Sequence, residues 1–216
     1  MGRVRSKPST DARARLTGRA FELFYRQGYP NTGINQILEQ SGTYKKTFYA
    51  HFESKEELGL YYLRERQRRA LTFFDTLLRK HDDYAGLVHA WCAFLRREFR
   101  DREYPGCPFA NLANQTHDRQ SVFQPHIRRG IINWRRIFTR RLLGMSIFGH
   151  RPDRKEARRL AERMLTLFEG AAQMTVMTGD RSYFVRLEED LLEAPVSILG
   201  LRGGVGQSGK REQSDG

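Results

Sequence analysis

Three observations predict an all-α fold for this 216-residue chain. Apolar residues recur at i, i+3, i+4 spacing in one segment after another, the period of a helix with one buried face. No stretch alternates apolar and polar residues convincingly, as a half-buried strand does. Glycines, prolines and capping residues fall where those helical segments should begin and end. With 39% hydrophobic and 12% aromatic residues, the chain has enough apolar surface for a real core.

Residues 1–10 read as a basic, flexible arm containing Pro8 and Ser9. The first helix turns Leu16, Ala20, Leu23 and Phe24 inward and ends at Gly28, a residue that takes the left-handed cap conformation freely. A short helix follows with Ile34, Ile37 and Leu38 on one face, and Ser41-Gly42 breaks it. A second short helix carries Lys45, Lys46, Thr47, Tyr49 and His51 around a seam of Phe48 and Phe52, with Thr43 as its cap because Tyr44 is a poor one. Ser54, with Glu57 three residues on, makes a capping box for a long helix over 54–80.

Asp82-Asp83 caps the next helix, which runs to about Arg100 with Leu87, Trp91, Phe94, Leu95 and Phe99 inward. Tyr104-Pro105-Gly106-Cys107-Pro108 interrupts, and a short helix restarts at Pro108, a good first residue. A helix over roughly 122–145 carries Ile127, Ile131, Trp134, Phe138 and Leu142 as its apolar positions, and Asp153 caps another that reaches Thr178 before Gly179. The last helix, 181–199, contains Pro195. The Gly- and Ser-rich tail 202–216 cannot bury a core and is expected to be disordered.

Two short helices joined by a tight turn, the second cationic, predict a helix-turn-helix whose second helix enters the DNA major groove. A plain αα-corner with solvated lysines fits the same residues. On the DNA reading, Lys45, Lys46 and Thr47 face base edges. The net charge of +13 and the pI near 10.2 favour a polyanionic partner. Much of this charge lies elsewhere: residues 126–163 hold twelve Lys and Arg against three Asp and Glu. These read as a solvated helix face, with an anionic ligand site as the alternative.

Cys92 and Cys107 give neither a disulfide framework nor a zinc spacing, and His81, His89, His117, His126 and His150 have no metal-ligand spacing. No phosphate loop and no supported Ser/His/Asp arrangement is present, so neither catalysis nor a cofactor is expected. The chain opens without an apolar leader and has no run of 18 apolar residues, which predicts a cytoplasmic protein without a membrane partner.

Residues 12–63 resemble the DNA-binding domain of the TetR family of transcriptional regulators. The likeness rests on Phe24-Tyr25-Arg26-Gln27-Gly28-Tyr29-Pro30-Asn31-Thr32 and on Phe48-Tyr49-Ala50-His51-Phe52-Glu53-Ser54-Lys55-Glu56-Glu57-Leu58. The chain departs from the family pattern at Gly33, usually Ser, and at Thr43-Tyr44-Lys45-Lys46, usually Val-Ser-x-Gly. The resemblance implies a three-helix DNA-binding domain over 11–53 and a helical ligand-binding and dimerisation domain over 54–201. It adds Thr32, Thr43 and Tyr44 to the DNA-binding set, with Tyr49, His51 and Lys55 holding phosphates.

It further implies that the last two long helices pair across a two-fold axis. Leu160, Met164, Leu167, Phe168, Ala171, Ala172 and Thr175 share one face there and are expected to form the dimer interface; an intrachain core is the alternative. Trp91, Phe94, Phe109, Phe123, Trp134 and Phe138, with Cys107, are expected to line a pocket for a largely apolar effector. Cys107 precedes a helix start, where the dipole favours a thiolate. Its Gly-Cys-x-x-x-x-Leu context is similar to one in several TetR-like regulators, leaving an electrophile sensor and a pocket wall both open. The expected protein is a repressor that binds a pseudo-palindromic operator as a homodimer and leaves it when a small molecule binds. A helical enzyme or adaptor that carries the corner without binding DNA is the alternative.

Overall fold

The computed structural model describes residues 10–98, 105–116 and 121–200. The basic arm with Arg3, Arg5 and Lys7, the tail 202–216, and Phe99, Tyr104 and His117 therefore lie outside the described residues. Within them the fold is all helix, with no strand and nine helices: α1 Thr10–Arg26, α2 Ile34–Ser41, α3 Lys45–Tyr49, α4 Lys55–Lys80, α5 Tyr84–Glu98, α6 Pro108–Gln115, α7 Gln124–Leu143, α8 Arg154–Thr178 and α9 Ser182–Leu199.

Two hydrophobic cores organise these helices. The smaller gathers Leu16, Ala20, Leu23 and Phe24 of α1, Ile37 and Leu38 of α2, Phe48 and Phe52 around α3, and Leu58 and Tyr62 of α4. It thus takes in the first two turns of α4, past residue 53. The larger joins α4 to α9 around Phe74, Trp91, Trp134, Phe138 and Met164. One long helix, α4, is shared by the two cores.

Local chemistry accounts for most helix ends. Ser54 Oγ accepts the Glu57 N–H at 3.1 Å, while the Glu57 carboxylate takes the N–H of Glu53 at 2.6 Å, one residue earlier than a regular capping box. Asp83 Oδ1 accepts the Gly86 N–H at 2.7 Å. Asp153 and Glu156 form a complete box at the start of α8. The expected Thr43 cap is absent. Tyr44 holds the cap position of α3 without a side-chain bond, and Thr43 turns inward to Ser41 at 2.7 Å.

Pro195 lies inside α9. It has no N–H to give the carbonyl four residues earlier, which belongs to Leu191. The Tyr84 hydroxyl, from the first residue of α5, donates to that carbonyl at 2.6 Å in a buried setting. The defect in one helix thus becomes the anchor for another. The apolar surroundings of Tyr84 push its phenol pKa well up, so it stays a donor.

Candidate nucleic-acid interface

The outer side of the small unit is built from α3 outward. Phe48 is fully buried in the smaller core, which is worth about 1.5–3 kcal/mol and pins the five-residue helix in place. Its neighbours then point to solvent. Tyr44 is 80% exposed and Tyr49 52%, Lys45 and Lys46 are exposed, and Thr47 is half-buried. This is a short, cationic, tyrosine-flanked helix held by one aromatic anchor.

Not every residue predicted to touch DNA reaches that surface. Thr32 is completely buried, and its hydroxyl donates to the Gly28 carbonyl at 2.8 Å. It locks the turn after α1. Thr43 is buried against Ser41. Both are short polar side chains satisfied locally, so they shape the turns and offer no side-chain contact to a partner. His51 is half-buried, with Nε2 buried and unpartnered. The Lys55 ammonium sits 4.4 Å from the centre of the Tyr29 ring and 3.4 Å from the Pro30 carbonyl, and burial lowers its pKa. Its charge is turned toward its own domain.

The seam to the larger unit is aromatic. Tyr29 and Phe123 meet edge to face at 4.9 Å. They meet over Gly59 of α4, where an added Cβ would lie 2.8 Å from the Tyr29 ring and 2.9 Å from that of Phe123. Gln115 at the end of α6 accepts the Tyr29 N–H at 3.0 Å, and the Tyr25 hydroxyl donates to the Gly106 carbonyl at 3.1 Å. Burial pushes the Tyr29 phenol pKa up to about 12.

The seven residues predicted to line a pocket do not surround a common cavity. Trp91, Trp134 and Phe138 interlock around Phe74 at ring distances of 5.5, 5.8 and 4.9 Å. Phe94 is only half-buried and stacks on Phe73 at 4.2 Å. Phe123 belongs to the seam. Phe109 packs on Trp134 at 4.8 Å. An open concavity of about 650 Å³ does exist on the outer face of α7, but Gln124, Arg128, Arg129, Asn133 and Arg136 line it, with none of the seven.

Cys107 occupies the cap position before Pro108, as its sequence context predicts, and the Phe109 and Ala110 N–H groups point at the thiol. The expected thiolate does not follow. Burial, reinforced by the Glu169 carboxylate that accepts its S–H, raises the thiol well above its ordinary pKa. Two backbone dipoles do not offset the loss of solvent. Cys92 is likewise buried, with its pKa pushed up to about 12 by desolvation.

The predicted dimer face also needs correcting. Leu160, Met164, Ala171, Ala172 and Thr175 are 0–9% exposed within a single chain, and Leu167 and Phe168 pack half-buried on the same core. They hold α8 to its own neighbours. The faces of α8 and α9 left outward carry Thr166, Gly170, Met177 and Val185, with Met177 64% and Val185 54% exposed.

Arg66 and Glu169 escape the sequence reading. Each is a charge set on an apolar stripe, Arg66 after Leu58 and Tyr62 at four-residue steps, and Glu169 between Leu165 and Ala172. That placement is the signal that could have found them. Among the described residues no cluster of three or more His, Cys, Asp or Glu could hold a metal ion, and no helix is long and apolar enough to cross a membrane.

A small helix-turn-helix unit fused through one long helix to a larger helical unit is the architecture of a one-chain transcriptional regulator. Residues 16–61 match the profile of the bacterial regulatory proteins of the tetR family, and residues 85–190 that of the LmrA/YxaF-like transcriptional regulator C-terminal domain. The chain belongs to the TetR family, whose members are transcriptional regulators and not enzymes. The uncharacterized HTH-type transcriptional regulator YxaF of Bacillus subtilis (strain 168) is 24% identical over 191 residues, 84% of this chain and 93% of that one. The HTH-type transcriptional regulator LmrA of the same organism is 27% identical over 134 residues, 61% and 71% of the two chains. The crystal structure of a TetR-family regulator from Streptomyces coelicolor superposes with a TM-score of 0.73 at 21% identity, covering 89% of this chain and 96% of that one.

Proposed function

We propose that this chain is a ligand-responsive repressor that binds a pseudo-palindromic operator as a homodimer and releases it when a small molecule fills the larger unit. The observation that carries the reading is α3. Its one large apolar side chain is buried, while Tyr44, Lys45, Lys46 and Tyr49 stand outward on a rigid base. Lysines at that position supply phosphate attraction and can donate to guanine in the major groove. Tyr44, Lys45, Lys46, Thr47 and Tyr49 form the reading set on this proposal, and Thr32 and Thr43 support it from beneath.

A two-fold dimer presents two copies of α3 to successive half-sites about one helical turn apart. The outward faces of α8 and α9 supply the interface. The effector biases a conformational equilibrium by preferring the form whose two reading helices are badly spaced. The seam of Tyr29, Gly59 and Phe123 carries that bias to the reading unit.

A gel shift with DNA from the chain's own promoter region, followed by footprinting, tests the reading. A protected palindrome that is lost with Lys45→Ala/Lys46→Ala supports it. Equal affinity for that DNA and for random duplex would leave the chain a non-specific basic protein and overturn it.

A further inference from the structure

The reading unit is nearly balanced in charge. Residues 11–53 hold six Lys and Arg against four Asp and Glu, whereas residues 126–163 of the larger unit hold twelve against three. Those three acids are already engaged. Asp153 and Glu156 close the capping box of α8, and Glu162 is shared by Arg135 at 3.0 Å and Arg158 at 3.1 Å. Among the described residues, the exposed Arg128, Arg129, Arg136 and Arg140 of α7 make no ion pair. Arg136 and Arg140, one turn apart, repel each other, and no acid of the segment offsets this.

These arginines are ordered on the helix surface. Arg128, Ile132, Arg136 and Arg140 follow at four-residue steps and form one row. The first three line the open concavity of about 650 Å³, together with Arg129, Ser121, Gln124 and Asn133. Every polar side chain in it can donate, and none is a carboxylate. Arginine with Ser, Asn and Gln is the donor set that holds phosphate oxygens in protein–DNA complexes. From Arg128 to Arg140 the row runs about 18 Å, the rise of about five base pairs along one strand.

What lines the concavity also separates the partners it suits. Pro125 and Ile132 are its apolar members, and no ring belongs to it. It lacks the aromatic anchor of a protein-docking hot spot and the stacking platform on which single-stranded bases sit. A duplex backbone needs neither. The row also begins beside the DNA-binding unit: Phe123, the cap residue of α7, meets Tyr29 at 4.9 Å.

We propose that the outer face of α7 is a second DNA contact, which holds the phosphate backbone of duplex outside the operator without reading its sequence. This rests on the reading of the chain as an operator-binding protein, and it adds a surface that the helix-turn-helix does not supply.

The test follows binding of the full chain to a random-sequence duplex by fluorescence anisotropy across a salt series. Arg128→Gln/Arg129→Gln/Arg136→Gln should lower the slope of log affinity against log salt by about 2.7, the share of three neutralised phosphates. Affinity for a duplex trimmed to the palindrome should stay unchanged. All three side chains are exposed, so the fold survives their exchange. Arg128→Lys/Arg129→Lys/Arg136→Lys, which keeps the charge, should restore the slope. Lys45→Ala/Lys46→Ala should lose the operator preference yet keep the α7 share of the slope, so a failure of operator reading and a failure of this surface are told apart. A slope lowered by less than about one in the glutamine variant would overturn the proposal. So would a lysine variant that behaves like the glutamine one. Poly-glutamate bound as tightly as the random duplex, and lost with the same three arginines, would also overturn it and make the face a dock for acidic protein.

Discussion

Tyr84→Phe removes one oxygen from a buried site and leaves the Leu191 carbonyl without its donor. The ordinary helical donor at that point would be the N–H of residue 195, and Pro195 has none. Leaving a buried carbonyl unsatisfied costs about 1–3 kcal/mol, and the ring itself still fills its place. For a chain of this size that corresponds to a fall in Tm of roughly 2–4 °C per kcal/mol. The decisive comparison is a cycle with Pro195→Ala, which restores a backbone N–H to the same carbonyl. In that background Tyr84→Phe should cost less by about 1 kcal/mol, because the carbonyl is already paired. Urea unfolding at one fixed protein concentration measures all four proteins, since the stability of any self-associating protein depends on its concentration. A Tyr84→Phe cost below about 0.5 kcal/mol, or the same cost with and without Pro195, would show that the hydroxyl is not standing in for the missing N–H.

Lys46→Ala should weaken operator binding by about 1–3 kcal/mol and alter sequence preference; equal losses on operator and random duplex would reduce Lys46 to a phosphate contact. Lys55→Met should leave the salt dependence of DNA binding unchanged, because its ammonium lies over Tyr29, and should lower stability by about 0.5–1 kcal/mol; a salt slope reduced by about one would place Lys55 on a phosphate after all. Gly170→Arg with Val185→Asp should give a monomer by sedimentation. A Cβ added at Gly170 meets nothing in its own chain, so a persisting dimer would put the interface elsewhere. The Cys107 thiol has its pKa raised, so it is neutral at physiological pH and becomes a thiolate only well above the ordinary range. Its reaction with iodoacetamide should therefore stay slow through about pH 9. A rate that rises with an apparent pKa below about 8.5 would restore the reactive-cysteine reading.

What was legible in the sequence was local. Ser54, Asp83 and Asp153 announce their helices because a cap acts within one turn, and α3 shows its lysines because Phe48 is its single inward anchor. What was not legible depends on distant partners. Leu160, Met164 and Ala172 make an apolar stripe that suits a neighbouring helix of the same chain as well as one of another copy. Thr32 and Thr43 look like DNA contacts until the Gly28 carbonyl and Ser41 claim them. Cys107 was correctly placed at a helix start, but Glu169 and complete burial reverse the sign of its pKa shift. Tyr84 gave no hint of its role, since the need for it arises at Pro195.

The contact over Gly59 bears on how such a protein can diversify. Tyr29 comes from the reading unit, Phe123 from the larger one, and Gly59 from the helix they share, with no room for even a methyl group between them. A new reading head grafted before α4 would bring its own residue 29 to a socket cut for this tyrosine. Exchange between relatives at that joint therefore preserves the contact only when the three positions fit one another. Recombination inside α4, after residue 62, keeps Tyr29 and Gly59 matched and leaves Phe123 as the one position to be fitted.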